Sequence, residues 1–324
     1  MFLRRSLLRA FVPLLLCATA APALAQDYPQ RSIRVIVPFA AGSTTDILAR
    51  AISDKMGENL GQTFIIENRG GASGTIGQQA VATAEPDGYT LMIHSSSHTV
   101  SPSTFKKLSF DTVADFTAIT PIATLPNVLV VSPAKGYDSV QKLVEQARAR
   151  PDELNFASAG QGSATHLNAE KFKAAAKIQA VNIPFKGSGE AVTELLAGRV
   201  DYYFSPIAPV IGQIKDGRLL PLAVASPRRA ASLPNVPTVA EAGVPGAEFN
   251  FWIGLLAPAK MPPAVLDKLH AAAGKAIASP EVQGRFRELG AEPWTLSPAD
   301  FDQYIRDEIV SNAELVKAAG ISPQ

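Results

Sequence analysis

The chain has 324 residues, 47% of them hydrophobic, with 30 basic and 29 acidic side chains and a formal net charge of +1, so it carries no electrostatic footprint for nucleic acid. Its single cysteine, Cys17, lies near the N-terminus; beyond it, disulfides, thiolate catalysis and thiolate metal sites are excluded together. The length exceeds what one hydrophobic core usually organises, which predicts two domains.

Arg4, Arg5 and Arg9 precede a nearly continuous apolar run from Ala10 to Ala20, and Ala23-Leu24-Ala25 has the form of a cleavage site. Residues 1–25 therefore read as a secretory signal peptide, with the mature chain beginning at Gln26. The apolar run is shorter than the ~20 residues a spanning helix needs and contains Pro13, which argues against a membrane anchor. Leu14, Leu15 and Leu16 ahead of Cys17 argue against a lipoprotein anchor in the same way. Loss of three arginines and no acidic residue takes the formal charge from +1 to −2. With no second long apolar run, the sequence predicts an exported, water-soluble protein of the periplasm.

From Ser32 to Val37 a Val- and Ile-rich run ended by Pro38 predicts a buried strand. The following helix places Ile47, Leu48, Ala51, Ile52 and Met56 on one face and ends at Gly61. Ser43 with Asp46 three residues on resembles a capping box. Thr63 to Glu67 is a second strand. The glycine-dense loop Asn68 to Gly77 leads into a helix, but neither G-x-G-x-x-G nor a P-loop is present, so no nucleotide is implied. Tyr89 to His94 is a third strand, ended by Ser95-Ser96-Ser97, and Ser101 to Phe116 reads as irregular.

Alternation then resumes, with strands at Val128–Val131, Leu154–Ala157, Ala180–Ile183, Val200–Phe204 and Leu219–Ala225. The intervening helices are Ser139–Ala149, Ser163–Ala176, Glu190–Ala197 and Val210–Asp216. This pattern predicts parallel, doubly wound sheets flanked by helices, whose ligands sit at the carboxyl ends of the strands. Phe249 to Ala257 is a further strand, and the remainder is helical: Pro263–Ser279, Glu281–Leu289 and Pro298–Ala319. Lacking a strand–helix repeat, this tail is expected to pack back on the first domain.

Two strand–loop–helix units carry the chemistry. In the first, Val35 to Arg50, four polar residues (Ser43, Thr44, Thr45 and Asp46) stand at a helix start, where backbone N–H groups lack intrahelical partners and the dipole is positive. The second, Asn155 to Leu167, repeats the design with Ser158, Gly160, Gly162, Ser163, Thr165 and His166. If each lies in a different domain, two helix N-termini face one another across a cleft and suit a carboxylate. Taken alone, Ser43 and Asp46 read as a simple helix cap worth ~1 kcal/mol; the matching second loop and the resemblance given next turn the reading toward a ligand grip.

The segments VPFAAGSTTDILAR, ENRGGASGTIGQQAVATAEPDGYTL, SAGQGSATHL, FKGSGEAVTELLAGRVD and LPNVPTVAEAG together resemble the Bug receptors, periplasmic solute-binding proteins of tripartite tricarboxylate transporters. The resemblance covers essentially the whole mature chain, in order. It implies a two-lobed periplasmic-binding-protein (Venus-flytrap) fold, a ligand carboxylate gripped by two loops, no catalysis and no cofactor. Carried over residue by residue, the first grip falls on Phe39, Ala41, Gly42, Ser43, Thr44 and Asp46, the second on Ser158, Gly160, Gly162, Ser163, Thr165 and His166. Where the family usually has two glycines, Ala41-Gly42-Ser43 stands here; serine reaches positive φ less freely, which puts the loop's usual water geometry in question.

Wall residues are expected at strand ends: His94, Ser95 and Ser96; Lys186 and Gly187; and Asp201 to Ser205. Lys186 is either a counter-charge for a second carboxylate or a solvated side chain. Asp46 is either a cap or a partner for an ammonium group. Phe249, Phe251 and Trp252 are expected to pack rather than line the cleft, and Arg228-Arg229 to be a solvated pair. His94 and His98 are four apart, but in a strand end and serine loop they do not suggest zinc.

The sequence thus predicts a receptor that captures a small organic carboxylate and delivers it to membrane transporter subunits, as a monomer, without metal or nucleic acid. The first lobe is placed at 26–127 and 249–324, the second at 128–248, with hinge crossings near Thr124 to Asn127 and Phe249 to Trp252. The rival classes are an exported serine hydrolase, which lacks G-x-S-x-G and any announced triad, and a carboxylate sensor or co-receptor using the same cleft.

Overall fold

The computed structural model describes residues 28–318 and 320–323; the signal-peptide reading of residues 1–25, Cys17 and the start at Gln26 lie outside them. Strand β1 (Ile33–Val37) is followed by α1 (Thr44–Leu60), β2 (Phe64–Asn68), α2 (Thr75–Ala82), β3 (Thr90–Ser95), α3 (Ser97–Thr104) and the long β4 (Phe116–Leu125). The chain then crosses at Pro126 into β5 (Asn127–Val131), α4 (Val140–Ala149), β6 (Asn155–Ser158), α5 (Ala164–Ala176), β7 (Val181–Pro184), α6 (Ser188–Leu196), β8 (Tyr202–Pro206), α7 (Ile211–Lys215) and β9 (Leu220–Val224). It returns through β10 (Phe251–Pro258) to α8 (Pro263–Ala278), α9 (Pro280–Glu288), β11 (Glu292–Pro293) and α10 (Pro298–Ala318).

Two sheets result, in the orders β11-β4-β10-β3-β1-β2 and β7-β6-β8-β5-β9. Successive side chains of a strand point to opposite faces, and both sheets are apolar on both. Val35 and Val37 join Leu48 and Ile52 of α1 and Leu269 and Ala273 of α8, while Ile36 joins Val81, Trp252 and Phe301 on the other side. In the second sheet Leu129 and Val131 pack with Leu143 and Phe172, and Val128 and Val130 with Ala191 and Leu195. The C-terminal helices lie on the first sheet, α8 against α1 and α10 against α3 and β4.

The sheets are mixed, not purely parallel as the alternation suggested. β1 pairs parallel with β2 and β3, but β10 is antiparallel to β3 and β4, and β5 is antiparallel to β8 and β9. The physical reason is the crossing itself: β5 and β10 enter their sheets straight from the other lobe, without the crossover helix that a parallel neighbour requires. The two crossings are tied side by side, Ala225 N–H donating to Asn127 O at 2.7 Å and Phe249 N–H to Ala225 O at 2.8 Å.

Two elements lie where the sequence reads as irregular or silent. In β4, Pro121 and three threonines mask a central strand; the register against β10 shifts where Pro121 faces Gly254, the bulge a proline needs inside a ladder. Helix α3 has no apolar stripe and contains Pro102, yet Ser97, His98, Thr99, Ser101 and Thr104 are all buried. A polar network holds it: Gln78 donates to Ser101 Oγ at 3.2 Å and pairs with His98 Nδ1 at 2.8 Å, and Ser101 donates to Ser97 O at 2.9 Å.

Candidate functional site: a cleft between two capped helices

The first jaw is the turn between β1 and α1. Ser43 N–H donates to Ala40 O at 3.1 Å, Gly42 takes φ +78°, and Ser43, extended at φ −68° and ψ 159°, caps α1 by accepting from Asp46 N–H at 3.3 Å. The left-handed conformation therefore falls on Gly42, and the serine in place of a family glycine costs no backbone strain. Asp46 reaches back to accept from Gly42 N–H at 2.9 Å, Asn68 Nδ2 at 2.9 Å and Arg50 Nε at 3.1 Å. Burial pushes its carboxyl up, but these bonds from Arg50, Gly42 and Asn68 outweigh it and hold the group below its ordinary range.

The second jaw, between β6 and α5, reproduces this geometry. Ser163 N–H donates to Gly160 O at 3.1 Å, Gly162 takes φ +73°, and Ser163 caps α5 by accepting from His166 N–H at 3.3 Å. His166 Nδ1 then accepts from Gly162 N–H at 3.0 Å, in the place Asp46 holds in the first jaw. Its Nε2 lies 3.5 Å from Glu170, which fixes the tautomer. An acidic and an imidazole side chain thus accept from the equivalent loop N–H in the two jaws. Asp46 and His166 are turned into their own loops and do not line the cleft.

Between the jaws lies a narrow cavity, lined by Ser43, Thr44 and Thr45 of the first jaw, Ala159, Ser163 and Thr165 of the second, Ser95 and Ser97 after β3, Ser188 at the start of α6, and the rings of Phe39 and Phe251. Hydroxyls dominate, and no charged side chain is among them. Positive potential comes instead from the N-termini of α1, α5 and α6, each equivalent to roughly half an elementary charge. The Thr44 hydroxyl is buried without a partner, and the Thr44 and Thr45 N–H groups lie in the first turn, beyond reach of any intrahelical acceptor.

The lobes are closed on one another. Ala164 N–H, at the start of α5, donates to Ser97 Oγ at 3.0 Å, and the Ser73 hydroxyl donates to Gln161 O. A Cβ at Gly160 would lie 2.9 Å from Ser73 Oγ, and one at Gly162 2.5 Å from Thr104 Oγ1. Those two glycines of the expected grip serve this close approach rather than touching the cavity.

Of the other expected site residues, Phe39, Ser43, Thr44, Ser95, Ser163 and Thr165 are brought together, whereas Ala41 and Gly42 stand at the exposed rim. Ser158 donates to Gly160 O at 3.2 Å and Ser205 to Pro206 O at 2.8 Å; Gly187 caps α6. Ser96 is buried away from the cavity. His94 is buried behind Phe39, ring centroids 5.4 Å apart, its Nδ1 accepting from Ser95 N–H at 2.8 Å, and burial with His98 close by keeps its pKa well below the usual imidazole value. Lys186 is exposed, its backbone N–H held by Glu190 at 3.0 Å. Asp201 sits at the opposite end of β8, paired with Lys135 at 2.9 Å and accepting from Asn155 N–H at 2.9 Å, so it supports the sheet.

Thr45, Ser97, Ala159, Ser188 and Phe251 line the cavity without having been assigned to it. Ser188 carried a readable signal, a small polar residue between glycines at a helix start. Phe251 corrects the packing expectation: it is both core and wall, while Trp252 is fully buried and donates to Glu308 at 2.7 Å. Among the described residues no group of three or more His, Cys, Asp or Glu side chains is arranged to hold a metal.

This arrangement has relatives. The model of the tripartite tricarboxylate transporter family receptor matches residues 48–321, and Protein BugT of Bordetella pertussis is 36% identical over 303 residues, 93% of each chain. The chain belongs to this receptor family. Among solved structures, R. palustris Rpa4515 with adipate superposes with a TM-score of 0.88 at 35% identity, covering 92% of this chain and 100% of that one. MatC from Rhodopseudomonas palustris with bound malate gives 0.84 at 32% identity, covering 89% and 100%. The receptor accordingly has the two-lobed fold of periplasmic binding proteins, and the paired jaws stand on its inner faces.

Proposed function

We propose that this receptor captures a small organic carboxylate in its inter-lobe cleft and delivers it to the membrane subunits of a tripartite tricarboxylate-type transporter. The observation that carries the reading is the convergence of helix N-termini, capped in the same way, on a cavity of hydroxyls and backbone donors with no acidic side chain in its lining. The adipate and malate bound by the two relatives are ligands of the same class. Residues 26–127 and 249–324 form the first lobe and 128–248 the second, hinged where the chain crosses near Thr124 to Asn127 and Phe249 to Trp252. Residues 1–25 direct export to the periplasm, and the receptor works as a monomer.

A role without catalysis is supported by the histidines. Those in the described residues engage Ser95 N–H, Gln78, Gly162 N–H and Ile119 O through Nδ1, and no histidine nitrogen is bonded to a serine hydroxyl. Among the described residues no serine is set against a histidine nitrogen in the way a hydrolase requires.

Calorimetric titration of refolded, ligand-stripped protein with di- and tricarboxylates, aromatic acids and acidic amino acids tests the reading; heat from none of them rejects it. Thr44→Val is the cleanest probe of the first jaw, because it deletes an unpartnered hydroxyl while keeping the shape. Affinity for the bound carboxylate is expected to fall about 10-fold or more, as for a hydrogen bond to a charged group, with the melting temperature unchanged. Equal affinity would remove Thr44 from the grip.

A further inference from the structure

Every lone pair of the Ser97 hydroxyl is already used, and that assigns its proton. Ser97 belongs to the first lobe and begins α3 directly after the first-sheet strand β3. Its Oγ accepts from the Ser95 hydroxyl at 3.1 Å and, across the cleft, from Ala164 N–H at 3.0 Å. Ser95 is held in turn, its Oγ accepting from Ser97 N–H at 3.3 Å. A serine hydroxyl has two acceptor sites and one donor. With both acceptor sites filled and the side chain lining the cavity, the remaining donor has only the cavity to serve.

We propose that Ser97 couples lobe closure to anion recognition: it latches the α5 N-terminus of the opposite lobe and, by doing so, directs its own proton to the ligand's carboxylate. The donor half of this proposal rests on the carboxylate reading above; the latch half does not. Before α5 docks, one lone pair of Ser97 is free and the hydroxyl can turn to several acceptors; after docking, a single orientation remains. Ala164 N–H, the first unpaired donor of α5, is thereby satisfied by protein and does not reach the ligand. The second jaw's contribution then falls on Thr165 N–H and one hydroxyl proton of the Ser163–Thr165 pair, whose oxygens lie 3.1 Å apart and share the other proton.

The surroundings are shaped for this docking. The loop from Gly160 to Ala164 seats in a crevice of the first lobe between Ser73 and α3, and it approaches so closely that a Cβ at Gly162 would lie 2.5 Å from Thr104 Oγ1. Both glycines have positive φ, 128° at Gly160 and 73° at Gly162, so the backbone itself forms the contact surface. Ser97 is the one residue of that crevice that both lines the cavity and bonds to the opposite loop.

The test uses mature protein, which has no native cysteine, with labels at Glu58→Cys on α1 and Glu145→Cys on α4, both exposed. Distance distributions are measured by pulsed electron paramagnetic resonance, without ligand and across an acetate titration. Ser97→Ala is expected to lower the closed-to-open ratio about five-fold without ligand, in line with the loss of one net hydrogen bond. It should also weaken acetate binding by a further 10-fold or so. Ser97→Thr, which keeps the hydroxyl, should restore both. An unchanged ligand-free distribution in Ser97→Ala overturns the latch, and unchanged acetate affinity overturns the donor. Wild-type protein that answers neither acetate nor any of the carboxylates titrated above overturns the carboxylate reading and the donor with it, while the latch is still decided by the ligand-free distances.

Discussion

Asp46→Ala is expected to destabilise the receptor by about 3 kcal/mol at pH 7 and to weaken carboxylate binding by more than an order of magnitude, although Asp46 does not face the cleft. The carboxylate is 3% exposed and gathers Gly42 N–H, Asn68 Nδ2 and the Arg50 guanidinium around the first jaw. Asn68 Nδ2 also donates to Phe39 O at 3.0 Å, so the same change loosens the ring that forms one wall. Alanine leaves those donors without an acceptor and frees the turn that aims the Thr44 and Thr45 N–H groups. Asp46→Asn, which keeps an acceptor oxygen, should cost about 1 kcal/mol. The sign with pH follows from the depressed carboxyl: its contribution is present above the unfolded value of about 3.8 and is lost as pH falls through the lower folded value. Urea unfolding at pH 7 and near pH 3 checks this. A deficit in Asp46→Ala that does not shrink at the acid end would show that charge is not what the jaw uses.

Glu308→Gln is expected to make the receptor more stable than wild type above pH 8, by about 2 kcal/mol, and to flatten its stability between pH 5 and 8. Glu308 lies on α10 and accepts from Thr99 Oγ1 at 2.7 Å, Trp252 Nε1 at 2.7 Å and Tyr304 OH at 3.1 Å. Burial pushes its carboxyl up to about 7 in spite of those donors. The network agrees, because Thr99 has one proton and two claimants, Glu308 and Ser96 O at 2.8 Å. A protonated Glu308 can donate to Thr99 Oγ1 and release that proton to Ser96. A folded value above the unfolded one means that stability is fully present below about 4.5 and is lost as pH rises through about 7. The whole shift would be worth about 3 kcal/mol, and solvent in the open groove that Glu308 borders with Lys171, Glu248 and Asp307 reduces it to about 2 kcal/mol. The neighbouring Trp252 reports unfolding by fluorescence. Parallel pH profiles for wild type and Glu308→Gln would rule out this titration.

Much of the fold was legible because its signals are local. A Val- and Ile-rich run located β1, an apolar stripe located α1, the strand–helix alternation located β6 and α5, and the small polar residues Ser43 and Ser163 marked where two helices begin. Illegible were elements whose stability is not local. Helix α3 is stabilised by Gln78 and its own serines rather than by an apolar face, and β4 carries Pro121 in a bulge that exists only because β10 lies beside it. The antiparallel course of β5 and β10 depends on the crossing between lobes, which no window of sequence contains.

The sequence by itself determined the two jaws: a turn, a serine cap and an acceptor three residues later are dictated by backbone geometry within a few residues, whether that acceptor is Asp46 or His166. Tertiary structure alone decided what faces the ligand. It turned Asp46 and His166 inward, set His94 behind Phe39, carried Asp201 to the far end of β8, and brought Ser97, Ser188 and Phe251 from separate elements to one cavity. A cap is a contact between neighbours in the chain, whereas a cleft wall is a contact between lobes, and its residues are chosen by how the sheets pack and close.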